Sequence, residues 1–269
     1  MSTADVSSRS LAQLVSLTGR RAVVTGGGRG LGKAIASRLA EAGADLLIGD
    51  IDEELALTAA EQLAHRHGVR VIGAAMDVTD AASVAASADR AVADLGGLDI
   101  WVNNAGIFPA VPLLEMTEET WDKVFAVNAR GVFVGAREAA RRMAAAGTGG
   151  VIVNIVSTAG FRGSAPGLAA YVGSKHAARG VTRELALELA PLGIRVLGVA
   201  PSFVPTEGNM MAAAAVMTDD IPPTDLMLNG PIGRVGVPDD IARVVLFCAS
   251  DLSTFMTGST LLADGGDTA

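Results

Sequence analysis

The feature that most constrains the fold is a regular alternation of short apolar runs with longer helical segments. Apolar runs joined by helical crossovers are what a parallel sheet covered on both faces requires. Strands are predicted at residues 21–25, 45–50, 69–74, 98–103, 150–156, 194–199 and 260–262. Helices are predicted at residues 31–42, 53–65, 81–95, 118–145, 169–189 and 238–249. The pattern predicts one doubly wound α/β domain of the Rossmann type, with a seven-stranded parallel sheet and helices on both faces.

Two segments fall outside this alternation. Residues 1–18 are rich in Ser and Thr and are predicted to be a flexible arm with one short amphipathic turn, so the domain spans residues 19–269. Residues 202–236 contain four prolines and no clear strand. We interpret them as a substrate lid inserted over the carboxyl edge of the sheet, where ligands bind in such folds.

Composition narrows the class of partner and the compartment. A net charge of −8 and a pI near 4.9 argue against nucleic acid and anionic membranes as partners. The single cysteine, Cys248, excludes an intrachain disulfide framework, and its apolar neighbours predict a buried thiol. Continuous apolar runs are too short for a membrane span, and the first residues do not resemble a secretory signal. We therefore expect a cytoplasmic protein.

A glycine cluster, Gly26-Gly27-Gly28-Arg29-Gly30-Leu31-Gly32, follows the first strand and opens the first long helix. Glycine lets backbone N–H groups approach a phosphate, and the N-terminus of a helix favours negative charge. Taken alone the cluster is compatible with a simple turn. Its place between a strand and a helix favours dinucleotide binding.

The second strand ends at Asp50, 18 residues after Gly32. An acid there accepts hydrogen bonds from the ribose hydroxyls of NAD and repels the extra phosphate of NADP. The alternative role of Asp50 is to cap a loop. Arg29 is an opposing signal, because a basic residue in the glycine loop favours NADP. We predict NAD as the cofactor and NADP as the less favoured one.

Tyr171, the only tyrosine, precedes Lys175 by four residues, which places both on one helix face. A cation beside a phenol lowers its pKa, so the pair is suited to general acid/base work on an alcohol oxygen. Judged alone, the spacing is equally compatible with an ordinary tyrosine beside a surface lysine.

These motifs occur in a characteristic order. The glycine loop starting at Thr25, then Asn103-Asn104-Ala105-Gly106, Ser157 and Tyr-x-x-x-Lys resemble the short-chain dehydrogenase/reductase family over roughly residues 18–266. The resemblance implies a catalytic set of Asn128, Ser157, Tyr171 and Lys175. Tyr171 would exchange a proton with the substrate oxygen, which Ser157 would hydrogen-bond. Lys175 would lower the pKa of the phenol and bind the nicotinamide ribose, and Asn128 would hold a water of a proton relay.

The same resemblance implies where a cofactor would bind and what the protein assembles into. It implies a homotetramer in which the helices near residues 118–145 and 169–189 form an interface. Thr206 is placed for the carboxamide, although Ser202 and Pro205 depart from the family's Pro-Gly turn. The predicted cofactor contacts are Gly26, Arg29, Gly30, Leu31, Gly32, Asp50, Ile51, Asp77, Val78, Asn104, Ala105, Gly106, Tyr171, Lys175, Pro201, Val204 and Thr206.

The substrate pocket is predicted from residues beside these motifs. Its expected apolar walls are Phe108, Thr158 and Phe161, together with Met210 and Met211 of the lid, because thioether side chains repack readily. Ordinary packing is the alternative reading of the methionines. No metal is predicted, since the His65-x-His67 pair ends a helix and lacks a recognisable third ligand.

The motifs together predict an NAD-dependent oxidoreductase that interconverts a hydrophobic secondary alcohol, of cyclic or aromatic type, and its ketone. Two alternatives remain open. One is a 3-oxoacyl-(acyl carrier protein) reductase using NADPH, which Arg29 favours. The other is a non-catalytic dinucleotide sensor, against which the complete catalytic set argues.

Overall fold

A computed structural model describes residues 5–207 and 231–269 of the chain. Its centre is a parallel sheet in the order β3-β2-β1-β4-β5-β6-β7, which is the predicted doubly wound arrangement. The strands in the described residues are β1 (Arg21–Thr25), β2 (Asp45–Asp50), β3 (Val71–Ala75), β4 (Ile100–Asn103), β5 (Gly150–Ile155), β6 (Ile194–Pro201) and β7 (Thr260–Ala263).

The described helices cover both faces of the sheet, as predicted. They are α1 (Leu11–Val15), α2 (Gly30–Glu41), α3 (Glu53–His67), α4 (Ala81–Leu95), α5 (Glu118–Phe125), α6 (Gly131–Ala146), α7 (Ala169–Leu189) and α8 (Pro238–Ala249). Helices α2, α3 and α8 pack Ile35, Ala56 and Ile241 into one apolar layer, and α4, α6 and α7 form the layer on the opposite face. Strand β1 is paired with β2 on one side and with β4 on the other. The connection after β1 therefore runs toward one edge of the sheet and the connection after β4 runs toward the other. This topological switch point opens a crevice there.

The prediction of one continuous helix at 118–145 was wrong at its centre. Residues Ala126–Arg130 form a π-helical turn between α5 and α6, closed by a bond from the Gly131 N–H to the Ala126 carbonyl. Ala and Val there have ordinary helical preferences, so sequence periodicity cannot show the extra residue. The turn carries Asn128 with its side chain fully buried, and the bonds that Asn128 makes there stabilise the irregularity.

The described part of the N-terminal arm is held against the domain, whereas the sequence predicted a flexible segment. The short helix α1 is present as predicted. Leu17 is buried and its N–H donates to the Ala42 carbonyl at 2.7 Å. Arg9 forms an ion pair with Asp251 near the end of α8. Leu17 and the nearby Leu14 and Val15 do not form a repeating pattern long enough to predict that the arm packs against the domain.

Candidate active site

The glycine loop between β1 and α2 is folded tightly against the loop that follows β4. A Cβ on Gly32 would lie 2.0 Å from the Gly26 carbonyl oxygen, so no larger residue fits. Gly26 has a φ of 61°, and a Cβ there would lie 2.9 Å from the Cα of Ala105. Arg29 is extended immediately before the first turn of α2. The loop therefore leads into the helix N-terminus through backbone that side chains would block, which fits a bound phosphate group.

Asn104 holds this loop in place. Its side-chain nitrogen donates to the carbonyls of Thr25 at 3.0 Å and Gly26 at 2.9 Å, which uses both of its N–H donors. The backbone N–H groups of Asn104 and Ala105 both donate to the buried Thr25 hydroxyl. The amide of Asn104, predicted as a cofactor contact, thus positions the loop. Thr25 is the positioning residue that the prediction omitted, although it is the first position of the motif.

Asp50 ends β2 beside the glycine loop and is largely buried. One carboxylate oxygen accepts the Gly28 N–H at 3.0 Å, and the other accepts the Asp52 N–H at 3.2 Å. The next residue, Ile51, is 76% exposed at the same edge. A fixed carboxylate and an exposed apolar side chain therefore lie side by side at the far end of the crevice. This arrangement suits the hydroxyls of a ribose and the face of an adenine.

The loop after β3 forms the neighbouring wall. One oxygen of Asp77 accepts the N–H and the hydroxyl of Thr79, at 2.8 Å and 2.7 Å, and so shapes the turn before α4. Val78 packs on the π-helical turn, because a Cβ on Gly131 would lie 3.1 Å from its Cγ2. The predicted contacts of Asp77 and Val78 with an adenine remain predictions.

Tyr171 and Lys175 occupy the first turns of α7, on the face that packs against β5. Lys175 is buried, and its ammonium donates to the Ile155 carbonyl at 2.8 Å. The Lys175 Nζ lies 5.7 Å from the centroid of the Tyr171 ring. Ser174, between them, donates its hydroxyl to the Tyr171 carbonyl at 2.8 Å. The surface-lysine alternative is therefore wrong, because both residues point into the molecule.

The pKa values in this pair differ from the simple expectation. Burial raises the pKa of the Tyr171 phenol, and a hydrogen bond with the Ser157 hydroxyl acts in the opposite direction. Burial lowers the pKa of Lys175 to about 8. The Ser157 hydroxyl thus contributes an effect that the sequence interpretation did not include, and the predicted effect of Lys175 on the pKa of the phenol remains a prediction. Desolvation of a lysine cannot be read from its spacing to a tyrosine.

Ser157 follows β5 and opens a 3₁₀ turn, Thr158–Gly160. Its hydroxyl oxygen accepts the Ala159 N–H at 3.1 Å, and the hydroxyl lies close enough to the Tyr171 phenol to oppose the rise in the pKa of that phenol. The backbone of Ser157 is extended, which turns the side chain away from the strand and toward α7. A serine hydroxyl and a phenol therefore converge on one point at the carboxyl edge of the sheet. That is the geometry needed to hold one alcohol or carbonyl oxygen.

Asn128 joins the loop after β4 to α7. Its side-chain oxygen accepts the Ile107 N–H at 2.9 Å, and its nitrogen donates to the Ile107 carbonyl at 2.7 Å and the Ser174 hydroxyl at 3.1 Å. These bonds use both N–H donors of the amide and one of the two acceptor sites of its oxygen. The predicted water of a proton relay at Asn128 remains a prediction. The bonds give Asn128 a positioning role toward Tyr171 and Lys175.

The comparisons with known proteins agree with this geometry. A family model, adh_short_C2, described as enoyl-(acyl carrier protein) reductase, matches residues 26–268. The 4-formylbenzenesulfonate dehydrogenase TsaC1/TsaC2 of Comamonas testosteroni is 42% identical over 94% of this chain and 99% of its own length. The 3-oxoacyl-[acyl-carrier-protein] reductase FabG of Chlamydia muridarum is 37% identical over 93% of this chain and 98% of its own length. The structure of a gluconate 5-dehydrogenase from Burkholderia cenocepacia, solved with NADP and tartrate, superimposes with a TM-score of 0.87. It is 38% identical and covers 96% of this chain and 98% of its own.

The chain belongs to the short-chain dehydrogenase/reductase family. Members of this family are oxidoreductases that act on alcohol or keto groups and bind a nicotinamide dinucleotide. The assignment rests on the family model, which matches residues 26–268, and on relatives such as the enzyme from Comamonas testosteroni.

Three of the residues predicted to line the substrate pocket lie in the described part of the chain. Phe108 packs edge-on against Tyr171, with ring centroids 5.8 Å apart and an angle of 66° between the planes. Thr158 is buried next to Ser157. The ring of Phe161, in contrast, is covered by the Arg179 guanidinium at 3.8 Å, two turns along α7 from Tyr171. Phe161 therefore packs against α7, and its predicted place in the substrate pocket remains a prediction. Met210 and Met211 lie outside the described residues.

The two described ends of the predicted lid lie against the C-terminal tail. Ser202 donates its hydroxyl to the Asp264 carbonyl at 3.5 Å, and the Ile232 N–H donates to the Gly265 carbonyl at 3.2 Å. Arg162, just after the Ser157 turn, pairs with Asp267 at 2.6 Å. The tail therefore contacts both ends of the lid and the loop of a catalytic residue.

The segment after β6 returns to the glycine loop. Pro201 ends β6, and Val204 is buried. A Cβ on Gly30 would lie 3.3 Å from the Thr206 Cβ, which places Thr206 above the start of α2. Contacts of these residues with a carboxamide remain predictions.

The described residues contain neither a cluster of metal ligands nor a helix that could span a membrane. Among residues 5–207 and 231–269, no group of three His, Cys, Asp or Glu side chains is arranged to hold a metal ion. His67 instead bonds the Ser37 hydroxyl at 3.1 Å. Within those same ranges, no helix combines the length and apolar character that crossing a membrane requires. Cys248 is buried as predicted, and burial raises the pKa of its thiol to about 12.

Proposed function

We propose that this protein is an NAD-dependent dehydrogenase that interconverts a hydrophobic secondary alcohol, of cyclic or aromatic type, and its ketone. The observation that carries the proposal is the convergence of the Ser157 hydroxyl and the Tyr171 phenol on one point beside the glycine loop. The buried Lys175 lies under the same ring.

NAD is proposed as the cofactor because of Asp50. Its carboxylate is held by the N–H groups of Gly28 and Asp52, so it cannot swing away from an added phosphate without losing both bonds. The residues proposed to hold the cofactor are those of the glycine loop, Asp50 and Thr206. When bound, the nicotinamide would accept or supply the hydride.

The protein's own side chains would transfer the proton. In the oxidative direction, the Tyr171 phenolate would take the hydroxyl proton of the substrate as the hydride leaves. Ser157 would donate a hydrogen bond to the same substrate oxygen and hold it in line. Lys175, with its pKa lowered to about 8, titrates near working pH and would exchange the proton onward. Asn128 would keep the loop at Ile107 and α7 at a fixed separation.

The substrate class is proposed from the ring beside the phenol and from a relative. Phe108 forms an apolar, aromatic wall next to Tyr171. The relative from Comamonas testosteroni is named for an aromatic substrate, 4-formylbenzenesulfonate. Both features favour a ring-bearing substrate over a small aliphatic one.

The test is the rate of reduced-nicotinamide formation with NAD or NADP and a panel of aliphatic, cyclic and aromatic secondary alcohols. We expect turnover with NAD on ring-bearing alcohols. Exchange of Tyr171 for Phe should lower kcat by at least about 100-fold, since it removes the general acid/base, and should leave NAD affinity unchanged. Wild-type turnover in Tyr171→Phe would refute the mechanism.

A reductase of 3-oxoacyl thioesters using NADPH is the second candidate. Arg29 at the start of α2 and the similarity to FabG of Chlamydia muridarum favour it. Activity with NADPH on a 3-oxoacyl thioester, and none with NAD on alcohols, would move this candidate to first place.

We further propose a homotetramer in the cytoplasm. The support is apolar surface on the two helices that the sequence indicated, with Phe133 of α6 and Leu187 of α7 both exposed. Sedimentation equilibrium tests the assembly, and a monomer at micromolar concentration would contradict it.

A further inference from the structure

A chain of buried side-chain hydrogen bonds runs from the sheet to α7, beneath the catalytic groups. The Trp101 N–H donates to the Asn103 oxygen at 2.7 Å, and the Asn103 nitrogen donates to the Asn154 oxygen at 2.8 Å. The Asn154 nitrogen in turn donates to the Thr182 hydroxyl at 2.9 Å. That hydroxyl donates to the Ala178 carbonyl at 2.8 Å, within α7. Each link has a defined donor and acceptor.

The chain lies in a dry part of the molecule. Trp101, Asn154 and Thr182 have no exposed surface, and Asn103 is 4% exposed. Asn103 and Asn154 are directly paired neighbours on β4 and β5. A Cβ on Gly135 of α6 would lie 2.2 Å from the Asn103 oxygen, so the helix backbone closes over the amide. A polar side chain here has no water to replace a lost partner.

The chain and the catalytic lysine attach α7 to consecutive residues of β5. Asn154 bonds Thr182, and the carbonyl of Ile155 accepts the ammonium of Lys175. On α7 these two attachment points are seven residues apart, which is about 10 Å along a helix axis. Two attachments at that separation fix both the axial position and the rotation of α7 relative to β5. Ser157 leaves β5 two residues beyond Ile155, so the same attachments set its distance from Tyr171.

Apolar side chains of similar shape would fill this space without needing partners, and such replacements of buried polar groups are often neutral for stability. Apolar packing, however, tolerates small sliding movements of a helix. A directed hydrogen bond does not. The polar chain therefore adds a fixed register of α7 relative to β5, which apolar packing alone would not supply.

We propose that Asn154 and Thr182 are positioning residues that hold α7 in the register at which Ser157 and Tyr171 bind one substrate oxygen. The inference rests on the proposed dehydrogenase function, in which those two groups act together. It predicts that loss of the Thr182 hydroxyl impairs catalysis through geometry, with the catalytic side chains all present.

The test compares Thr182→Val, which removes the hydroxyl at nearly constant shape, with Thr182→Ser, which keeps it and removes a methyl group. Thr257→Val is the matched control. The Thr257 hydroxyl also makes two bonds, accepting the Val196 N–H and donating to its carbonyl, at the opposite edge of the sheet from the site. All variants are assayed with NAD and the best alcohol at a temperature where circular dichroism shows them folded.

For Thr182→Val we expect kcat to fall by about 10- to 100-fold, since a shift of about 1 Å in reacting groups has an effect of this size. KM for NAD should change by less than about 3-fold, because the glycine loop is not touched. Thr182→Ser and Thr257→Val should keep kcat within about 3-fold of wild type, which is the limit expected where catalytic geometry is preserved. Equal losses in Thr182→Val and Thr182→Ser, or wild-type kcat in Thr182→Val, would overturn the proposal.

A second readout is independent of turnover. Because Tyr171 is the only tyrosine, the near-ultraviolet absorbance of phenolate reports its titration alone. Weakening its bond with Ser157 should raise the pKa of Tyr171 in Thr182→Val by about half a unit to one unit, the equivalent of one hydrogen bond. The charged group over this ring is Lys175, which all variants retain. An unchanged phenol pKa in Thr182→Val would contradict the proposal, even if Tyr171 proves not to be the catalytic base.

If Thr182→Val does not fold, Asn154→Ser replaces it. The shorter side chain cannot reach Thr182, so the same losses are expected. Wild-type kcat and an unchanged phenol pKa in Asn154→Ser would overturn the proposal.

Discussion

The most informative single change is Asp50→Asn, because it removes one charge and little else. In the wild-type protein the carboxylate is held at the end of β2 by two backbone N–H groups. For one unit of phosphate charge at about 5 Å and an effective dielectric constant of about 20, repulsion amounts to about 3 kcal/mol, or roughly 150-fold in affinity. From this repulsion alone we expect the ratio of kcat/KM for NAD to that for NADP to fall by about 100-fold in Asp50→Asn, and a weaker interaction with NAD increases the fall to about 1,000-fold.

Two effects contribute to that ratio and can be separated. Loss of charge relieves the repulsion and should improve kcat/KM for NADP. Loss of a charged acceptor for ribose hydroxyls should raise KM for NAD by about 10-fold, the equivalent of about 1.5 kcal/mol. One of the two backbone N–H groups would also face an NH₂ group in place of an oxygen. Initial rates at saturating alcohol, with the concentration of each cofactor varied in turn, measure kcat/KM for NADP and KM for NAD and so separate the two effects.

Asp52→Asn is the matched control for Asp50→Asn. Asp52 lies two residues further on, and its carboxylate caps α3 by accepting the N–H groups of Glu54 and Leu55. The same chemical change there should leave the cofactor ratio within about 2-fold, since exposed charges are well screened. An Asp50→Asn enzyme with an unchanged ratio, or a wild-type enzyme that prefers NADP, would refute the reasoning from Asp50.

Three further changes test other parts of the site. Gly32→Ala should abolish cofactor binding in calorimetric titration, because its Cβ would lie 2.0 Å from the Gly26 oxygen; Gly180→Ala, on an open face of α7, should bind normally. Since the pKa of Lys175 is lowered to about 8 in the folded state, the unfolded chain holds more protons above that pH. Relative to Lys175→Met, the free energy of unfolding of the wild-type protein in urea should therefore rise by about 2 kcal/mol from pH 8 to pH 10. The comparison with the variant is needed because the raised pKa values of Cys248 and Tyr171 act in the opposite direction in both proteins. Asn128→Leu should lower the free energy of unfolding by about 2–4 kcal/mol, because it leaves the N–H and the carbonyl of Ile107 unpaired, whereas Ser174 keeps its bond to the Tyr171 carbonyl. A free energy of unfolding equal to that of wild type would contradict this expectation.

The fold was predictable because its signals are local and repeated. Each strand is a run of apolar residues and each crossover has a helical period, so the sheet and its helices follow from periodicity. Tyr171, Lys175 and Ser157 were predictable because the spacing of a motif and the end of a strand place them at one edge. The Ser157 hydroxyl lies close enough to the Tyr171 phenol to affect its pKa.

The parts that escaped prediction depend on contacts between distant segments. The π-helical turn at Asn128 is stabilised by bonds to Ile107 and Ser174, which lie on two other elements. The direction of the shift in the pKa of Tyr171 follows from burial, which the motif does not encode. Phe161 lies four residues after Ser157, and the guanidinium of Arg179, on α7, covers its ring.

The C-terminal tail has a consequence for how this enzyme can diversify. Asp264 and Asp267 touch the described ends of the lid and the loop beyond Ser157, but neither bonds Tyr171, Lys175 or Asn128 among the contacts of the described chain. In the proposed function, in which residues 202–236 cover the substrate, substitutions in the tail would alter which molecules fit while the proposed proton-transfer groups stay in place. Substrate preference could then change by mutation at the edge of the domain without a change in the residues of the reaction.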